Sequence, residues 1–280
     1  MSYRAFVVAV LALCVGVLTA CSEGPAATVT ATDRQQLTYD QVIGTGLANK
    51  CPQLSETSRG KLDIEPGRSY AIRDMCLQPT DYFAKEEPVT QRQDPEFVPG
   101  KLLTRATTSL EQIRGKLEVD DRGNLTLREE DGIDFQPITI QLPGGKEVPF
   151  MFTVKGLVAN AQSAAPAITT STDFQGQYVV TPYRGGGFLD TRGRGPASGY
   201  DSALGLPAKA DSDELARENI KQLTTDRGNI DLKVAKVNAN TGEIAGTFES
   251  EQPSHTDMGA KEPEDVRVRG VFYARVAEAL

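Results

Sequence analysis

Residues 131–155, DGIDFQPITIQLPGGKEVPFMFTVK, constrain this chain more than any other stretch. Ile138, Ile140 and Leu142 alternate with Thr139 and Gln141. Beyond Pro143-Gly144-Gly145, the residues Val148, Phe150, Phe152 and Val154 resume an approximate period of two. Successive strand side chains point to opposite faces, so the pattern puts one face in a core and one in water. The two glycines supply the positive φ of a tight reversal. The reading is a β-hairpin with an aromatic inner face. A lone hairpin is marginal in water, so the other strand-like runs are expected to be its partners in a sheet or barrel.

Such runs occur on both sides of it. They fall at 69–78, which Pro79 is expected to end, and at 81–86, 101–110, 113–119 and 125–129. They return at 230–237, 243–249 and 266–274, with 252–265 read as a polar loop. Turn sequences at 121–124 and 238–242 join neighbouring runs into hairpins. The expected fold is all-β: an antiparallel β-barrel of about eight strands in hairpin order. Residues 37–157 would form its first part and 229–280 its last strands. Between them, 158–228 is rich in Ala, Gly, Ser, Thr and Pro and reads as a loop-rich insertion protruding from the barrel. Its one helix is expected at 211–223, capped by Asp211 or Ser212. A shorter helix is expected after Thr38, ended by Gly44 and Gly46.

The first twenty residues read as a signal peptide. Arg4 precedes an apolar run at 5–17, and Leu18-Thr19-Ala20-Cys21 has the form of a bacterial lipobox. Cys21 is therefore expected to carry lipid and to begin the mature chain, with 21–36 as a flexible tether. Cys14 leaves with the signal. Cys51 and Cys76 remain in an exported protein, so a disulfide between them is expected. It would stabilise the fold by roughly 3 kcal/mol. The formal net charge of -8 argues against nucleic acid, whose phosphates need a basic surface.

Chemistry-bearing constellations are few. His255 is the only histidine, and no G-x-S-x-G serine accompanies it, so no Ser-His-Asp triad is indicated. Acidic residues cluster at Glu86-Glu87, at Glu129-Glu130-Asp131 and at Asp134. Pairs of this kind can share a proton, hold a hard cation or do glycosidase chemistry, but adjacent surface acids are usually just solvated. Residues 184–194, RGGGFLDTRGR, are the most unusual segment. They lack a P-loop lysine and read either as a surface loop or as a docking loop that offers Arg forks and Phe188 to a partner.

With these segments in view, the chain resembles the manganese-stabilising extrinsic proteins of photosystem II, in their cyanobacterial form. The landmarks are LTYDQVIGTGLANKCP at 37–52, CLQPTDYFAKEEP at 76–88, FVPGKLLTR at 97–105 and EEDGIDFQPITIQLPGG at 129–145. They continue with FLDTRGRG at 188–195, SGYDSALGLP at 198–207 and GEIAGTFESEQPSHTDMGAKEP at 242–263. The resemblance implies an antiparallel barrel with a large extension between two strands and one N-terminal disulfide, which would be Cys51–Cys76. It implies a non-catalytic subunit on the lumenal face of photosystem II. Such a subunit supports water oxidation by stabilising a manganese-calcium cluster that partner subunits hold, and its carboxylates have been proposed to help protons leave.

The implied partners are reaction-centre subunits, chlorophyll-binding inner antenna proteins and other extrinsic lumenal subunits. Arg184, Asp190 and Arg194 match the family's docking segment, where Arg192 replaces a lysine and Thr191 a proline. Some members bind calcium through two glutamates and a histidine. Glu86 matches the first position, but Lys146 and the histidine-free 261–264 neighbourhood stand at the others, so no metal or cofactor is expected to bind this chain directly. The lipobox departs from the family's soluble habit and implies a lipid anchor at Cys21. That anchor would lie on the lumenal side of the thylakoid membrane, or on the periplasmic side of the cell membrane in a host without thylakoids. Two other readings compete. One is a periplasmic lipoprotein whose barrel encloses a ligand, which requires an internal cavity. The other is a hydrolase with two carboxylates facing across a cleft.

Overall fold

The computed structural model describes residues 37–42, 45–55, 59–86, 95–163, 165–180, 226–254 and 263–279. The chain enters through a one-turn helix, Tyr39–Val42. The sequence TYDQ forms half of a capping box: the Gln41 side chain accepts the Thr38 backbone N–H at 2.9 Å. A 3₁₀ turn, Leu47–Asn49, follows Gly46, whose φ is 74°.

The strands, in chain order, are β1 (Leu62–Asp63), β2 (Tyr70–Glu86), β3 (Glu96–Pro99), β4 (Lys101–Leu102) and β5 (Leu110–Val119). Then come β6 (Leu125–Ile133), β7 (Phe135–Gln141), β8 (Glu147–Thr153), β9 (Val158–Ala161) and β10 (Ala167–Ile168). The last four are β11 (Asp173–Val180), β12 (Asp226–Asn238), β13 (Glu243–Pro253) and β14 (Asp265–Glu278). The order β2-β5-β6-β9-β11-β12-β13-β14 closes on itself, because β14 pairs back onto β2. All these pairings are antiparallel, giving the expected eight-stranded closed barrel. Closure removes the open edges that an antiparallel sheet would otherwise expose. β3 pairs with β2 outside this ring, and β1 pairs with β10.

The 138–154 hairpin forms with the register its pattern demands: Ile140 faces Val148 and Ile138 faces Phe150. Gly145 takes φ 84° in its turn. Its partners differ from the expectation. The hairpin is not part of the barrel wall; it forms a separate three-stranded sheet with β4. A wall strand keeps one face in solvent, whereas Phe150 to Val154 are buried in succession. Phe150 and Phe152 join the barrel core, and Met151 packs with Phe135 on the other side. Phe152 stacks on Phe248 of β13 with centroids 5.8 Å apart, and Phe150 lies against Tyr82 of β2. The core is thus filled by side chains of the hairpin, together with inward residues of the barrel such as Leu77, Leu127, Phe174 and Val268. A ligand-binding lumen has no room there, so the ligand-barrel reading fails.

Three further differences have physical causes. Pro79 does not end its strand. β2 runs through it, and Pro79 faces Gly270 at a register shift between Arg269 and Gly270. A bulge is where a ladder tolerates a residue without an N–H. Residues 158–180, read as the start of the insertion, supply β9 and β11 to the barrel and β10 to the small sheet. Short strands rich in Ala and Gly carry little periodic signal. Finally, β13 extends to Pro253, beyond the end at 249 expected for it. The helix expected at 211–223 lies outside the described residues.

Candidate functional site

The acids grouped in the sequence separate in space. Asp131 takes a two-pronged ion pair from Arg114 of β5, with Nε and Nη2 at 2.5 and 2.7 Å. Glu130 pairs with Lys116. Both lie on the outer face, as solvated strand acids should. Glu129 and Asp134 do the opposite. Asp134 is 1% exposed, and it stands near enough to Glu129 for its charge to raise that carboxyl.

Two local irregularities bring them together. The β5–β6 register shifts between Arg114 and Gly115, which face Asp131 and Glu129 respectively. The strand then breaks at Asp134 before β7 begins. The turn after β8 completes the site. Gly156, with φ 64°, donates its N–H to Glu129 Oε2 at 2.6 Å, and Thr153 Oγ1 donates to the Asp134 carbonyl at 2.8 Å.

Glu129 Oε1 and Asp134 Oδ1 are both buried without a hydrogen-bond partner. Two carboxylate oxygens can only accept, so facing each other they repel, and one shared proton satisfies both. Burial is the largest cause raising each carboxyl above its ordinary range; the Asp134 charge adds to the rise at Glu129, and Lys155 moderates both. The arrangement can hold and release a proton. Asp134 is buried rather than open to a cleft, so this pair does not offer the setting that glycosidase chemistry needs.

Lys146, at the hairpin turn, forms an ion pair with Glu264, which precedes β14. Glu264 is fixed by reciprocal bonds with Ser254: its N–H reaches Ser254 Oγ at 2.9 Å, and the Ser254 N–H reaches its carbonyl at 2.7 Å. The ammonium thus stands where a calcium ligand was considered. Glu86 lies close by: Ala84 faces Val266 and Lys85 pairs with Asp265, so the β2–β14 register runs on toward Glu86 and Glu264, while Glu86 also faces Glu96 of β3. A lysine bonded to the carboxylate repels a hard cation, so these residues do not fit calcium. Among the described residues, no three His, Cys, Asp or Glu side chains gather in a metal-binding group.

The Cys51–Cys76 disulfide is present, with Cα atoms 5.6 Å apart. It ties the entering segment to β2, over a small buried cluster with Leu54 and Tyr273. Cys21, Arg184, Asp190, Arg192, Arg194 and His255 all lie outside the described residues. One constellation went unread in the sequence: a buried polar line made by Tyr178, Ser250 and Gln252. Ser250 and Gln252 alternate with Glu249 and Glu251, so period-two reading of 249–252 was the signal available.

The strand order and the filled core define the class: an all-β protein built on a closed, eight-stranded antiparallel barrel. The chain belongs to the manganese-stabilising protein / photosystem II polypeptide family, whose sequence pattern matches residues 35–276. It is 58% identical to Photosystem II extrinsic protein O of Crocosphaera subtropica over 276 residues, covering 99% of this chain and 98% of that one. It is 53% identical to the protein of the same name from Thermosynechococcus vestitus, covering both chains fully. The chloroplastic Oxygen-evolving enhancer protein 1 of Volvox carteri is 44% identical, covering 91% of this chain and 84% of that one.

Proposed function

We propose that this protein is an extrinsic subunit of photosystem II that stabilises the manganese cluster held by other subunits. It ligates no part of the cluster and catalyses no reaction of its own. The observation that carries this reading is the family match along 35–276, across barrel and connecting segment alike. A rigid barrel with a filled core suits a cap, because it holds its outer surface fixed without needing a cavity.

Docking is assigned to 184–194. Arg184, Arg192 and Arg194 offer guanidinium forks to partner carboxylates, and Asp190 offers a carboxylate to a partner base or an ordered water. The partners are reaction-centre and inner antenna subunits, together with other extrinsic subunits. Lipid on Cys21 would keep the chain at the lumenal side of the thylakoid membrane, or on the periplasmic side where thylakoids are absent. The Glu129–Asp134 pair is suited to a role in proton exit, because burial raises both carboxyls above their ordinary range.

The experiment is rebinding of Asp190→Asn and Arg192→Gln chains to photosystem II membranes stripped of extrinsic proteins. Weakened rebinding with unchanged melting supports the docking segment. A double variant that docks and supports oxygen evolution like the unaltered chain removes 184–194 from the account.

A further inference from the structure

The barrel wall is irregular where β2 meets β14 and β5. On one side, Tyr273 faces Cys76 and Arg275 faces Arg73, so one residue of β14 stands against two of β2. On the other, Ile72 faces Gly115 and Met75 faces Ile113, which leaves Arg114 opposite both Arg73 and Asp74. Ile72 and Met75 join the core, and Arg73 and Asp74 between them stand on the outside. Asp74 takes φ 52°, in the left-handed region that a residue other than glycine enters at a cost. A bulge re-aims side chains, and this one brings Asp74 onto Arg275, 2.5 Å from Nη2.

Three arginines therefore adjoin across β14, β2 and β5. Facing residues of adjacent strands stand about 5 Å apart, and like charges placed so repel. The nearby acids are already engaged. Asp74 holds Arg275, and Asp131 takes both prongs of Arg114. Glu243, the β13 neighbour of Arg275, accepts the hydroxyls of Tyr273 and Thr241. Arg73 is left over: it is exposed and has no ion pair among the described residues. Arg275 is also short of acceptors, since its Nε, enclosed by neighbouring atoms, has none. Cations elsewhere on the wall are matched, Lys116 by Glu130, Arg128 by Glu118 and Arg269 by Glu249. In a chain of net charge -8, acids are plentiful, yet none is set against Arg73.

We propose that Arg73 and Arg275 form a clip for a carboxylate side chain of a partner protein, which makes the wall of β14, β2 and β5 a docking surface. A guanidinium fork suits a carboxylate, and an acid seated between the two arginines relieves their repulsion. That the partner is a photosystem II subunit rests on the function proposed above. The clip itself does not.

The test uses the full chain. Arg73→Gln is compared with Lys101→Gln, which removes the same charge from an exposed residue of β4 that faces Gln141. Binding is read as rebinding to stripped photosystem II membranes and as the anisotropy of a fluorescent hexaglutamate peptide at low salt. Arg73→Gln should weaken both by about tenfold, and Lys101→Gln by no more than about twofold. Arg73→Gln should melt no lower than the unaltered chain, because it removes a like-charge contact. Arg73→Lys then supplies an amine that a carbodiimide joins to a touching carboxylate. In rebound membranes, mass spectrometry should find residue 73 linked to an Asp or Glu of another subunit.

Equal weakening by both Gln variants, lower melting of Arg73→Gln, or cross-links that omit residue 73 would overturn the clip. A link from residue 73 to a second copy of this chain would overturn the partner protein. Weaker hexaglutamate binding with unchanged rebinding keeps the clip and overturns its use in docking to photosystem II. An unaltered chain that fails to rebind defeats the functional reading, and hexaglutamate then judges the clip alone.

Discussion

Glu129 and Asp134 each leave one carboxyl oxygen buried without a hydrogen-bond partner, while the Gly156 N–H meets the other oxygen of Glu129. Both groups bind their proton more tightly in the folded chain than in the unfolded one.

The sign for stability follows. Below about pH 4 both states are protonated and the pair costs nothing. As pH rises, the unfolded chain ionises first, so folding becomes less favourable until the pair has ionised in the folded state too, near the Glu129 value of about 8. Glu129→Gln should flatten this decline and raise stability at pH 8 by on the order of 1 kcal/mol, reduced from the full linkage because Glu129 is part-exposed. Urea unfolding at pH 5 and pH 8 checks it. A variant as pH-dependent as the unaltered chain would show that the pair holds no extra proton.

The Lys146–Glu264 pair predicts indifference to calcium. Millimolar calcium or EDTA should leave the melting temperature unchanged. Lys146→Ala should cost no more than about 1 kcal/mol, since both side chains are part-exposed. Lys146→Glu should lower the melting temperature, with partial recovery on adding calcium, because two facing carboxylates then lack a cation. Calcium stabilisation of the unaltered chain would contradict the fit argument.

Phe150 is completely buried where the hairpin meets the barrel. Phe150→Ala should cost about 3–5 kcal/mol, as for other large-to-small core changes. Measured by urea unfolding, a loss under about 1 kcal/mol would mean that the hairpin is not part of the cooperative core.

Opening the Cys51–Cys76 bridge, by Cys51→Ala with Cys76→Ala, should destabilise by roughly 3 kcal/mol. The loss should appear in melting while strand content by circular dichroism stays. Loss of the barrel itself would show that the closed wall depends on the bridge.

The legible parts of this fold were those with a clean period. The hairpin's register could be read from Ile138 to Val154, because a one-residue slip would turn Phe150 and Phe152 outward. Its placement could not: alternation says which face is buried, not whether the hairpin joins the barrel wall or forms a separate sheet packed on the barrel core. The acid pair was hidden for a related reason. Glu129 and Asp134 differ in parity, so an unbroken strand would point them to opposite faces, and only the bulge and the break at Asp134 reunite them. The pairing of Tyr178 with Gly228 was out of reach, since it spans a long intervening segment. Asp190 is a docking candidate through resemblance alone, having no periodic or metal-ligand pattern of its own.

Manganese retention tests the central claim most directly. Photosystem II membranes stripped of extrinsic proteins would be incubated at low chloride with and without the purified mature chain, and bound manganese would be counted alongside oxygen evolution. The account predicts that the chain binds, that manganese is kept and that oxygen evolution returns. Manganese lost at the same rate with the chain present would contradict it.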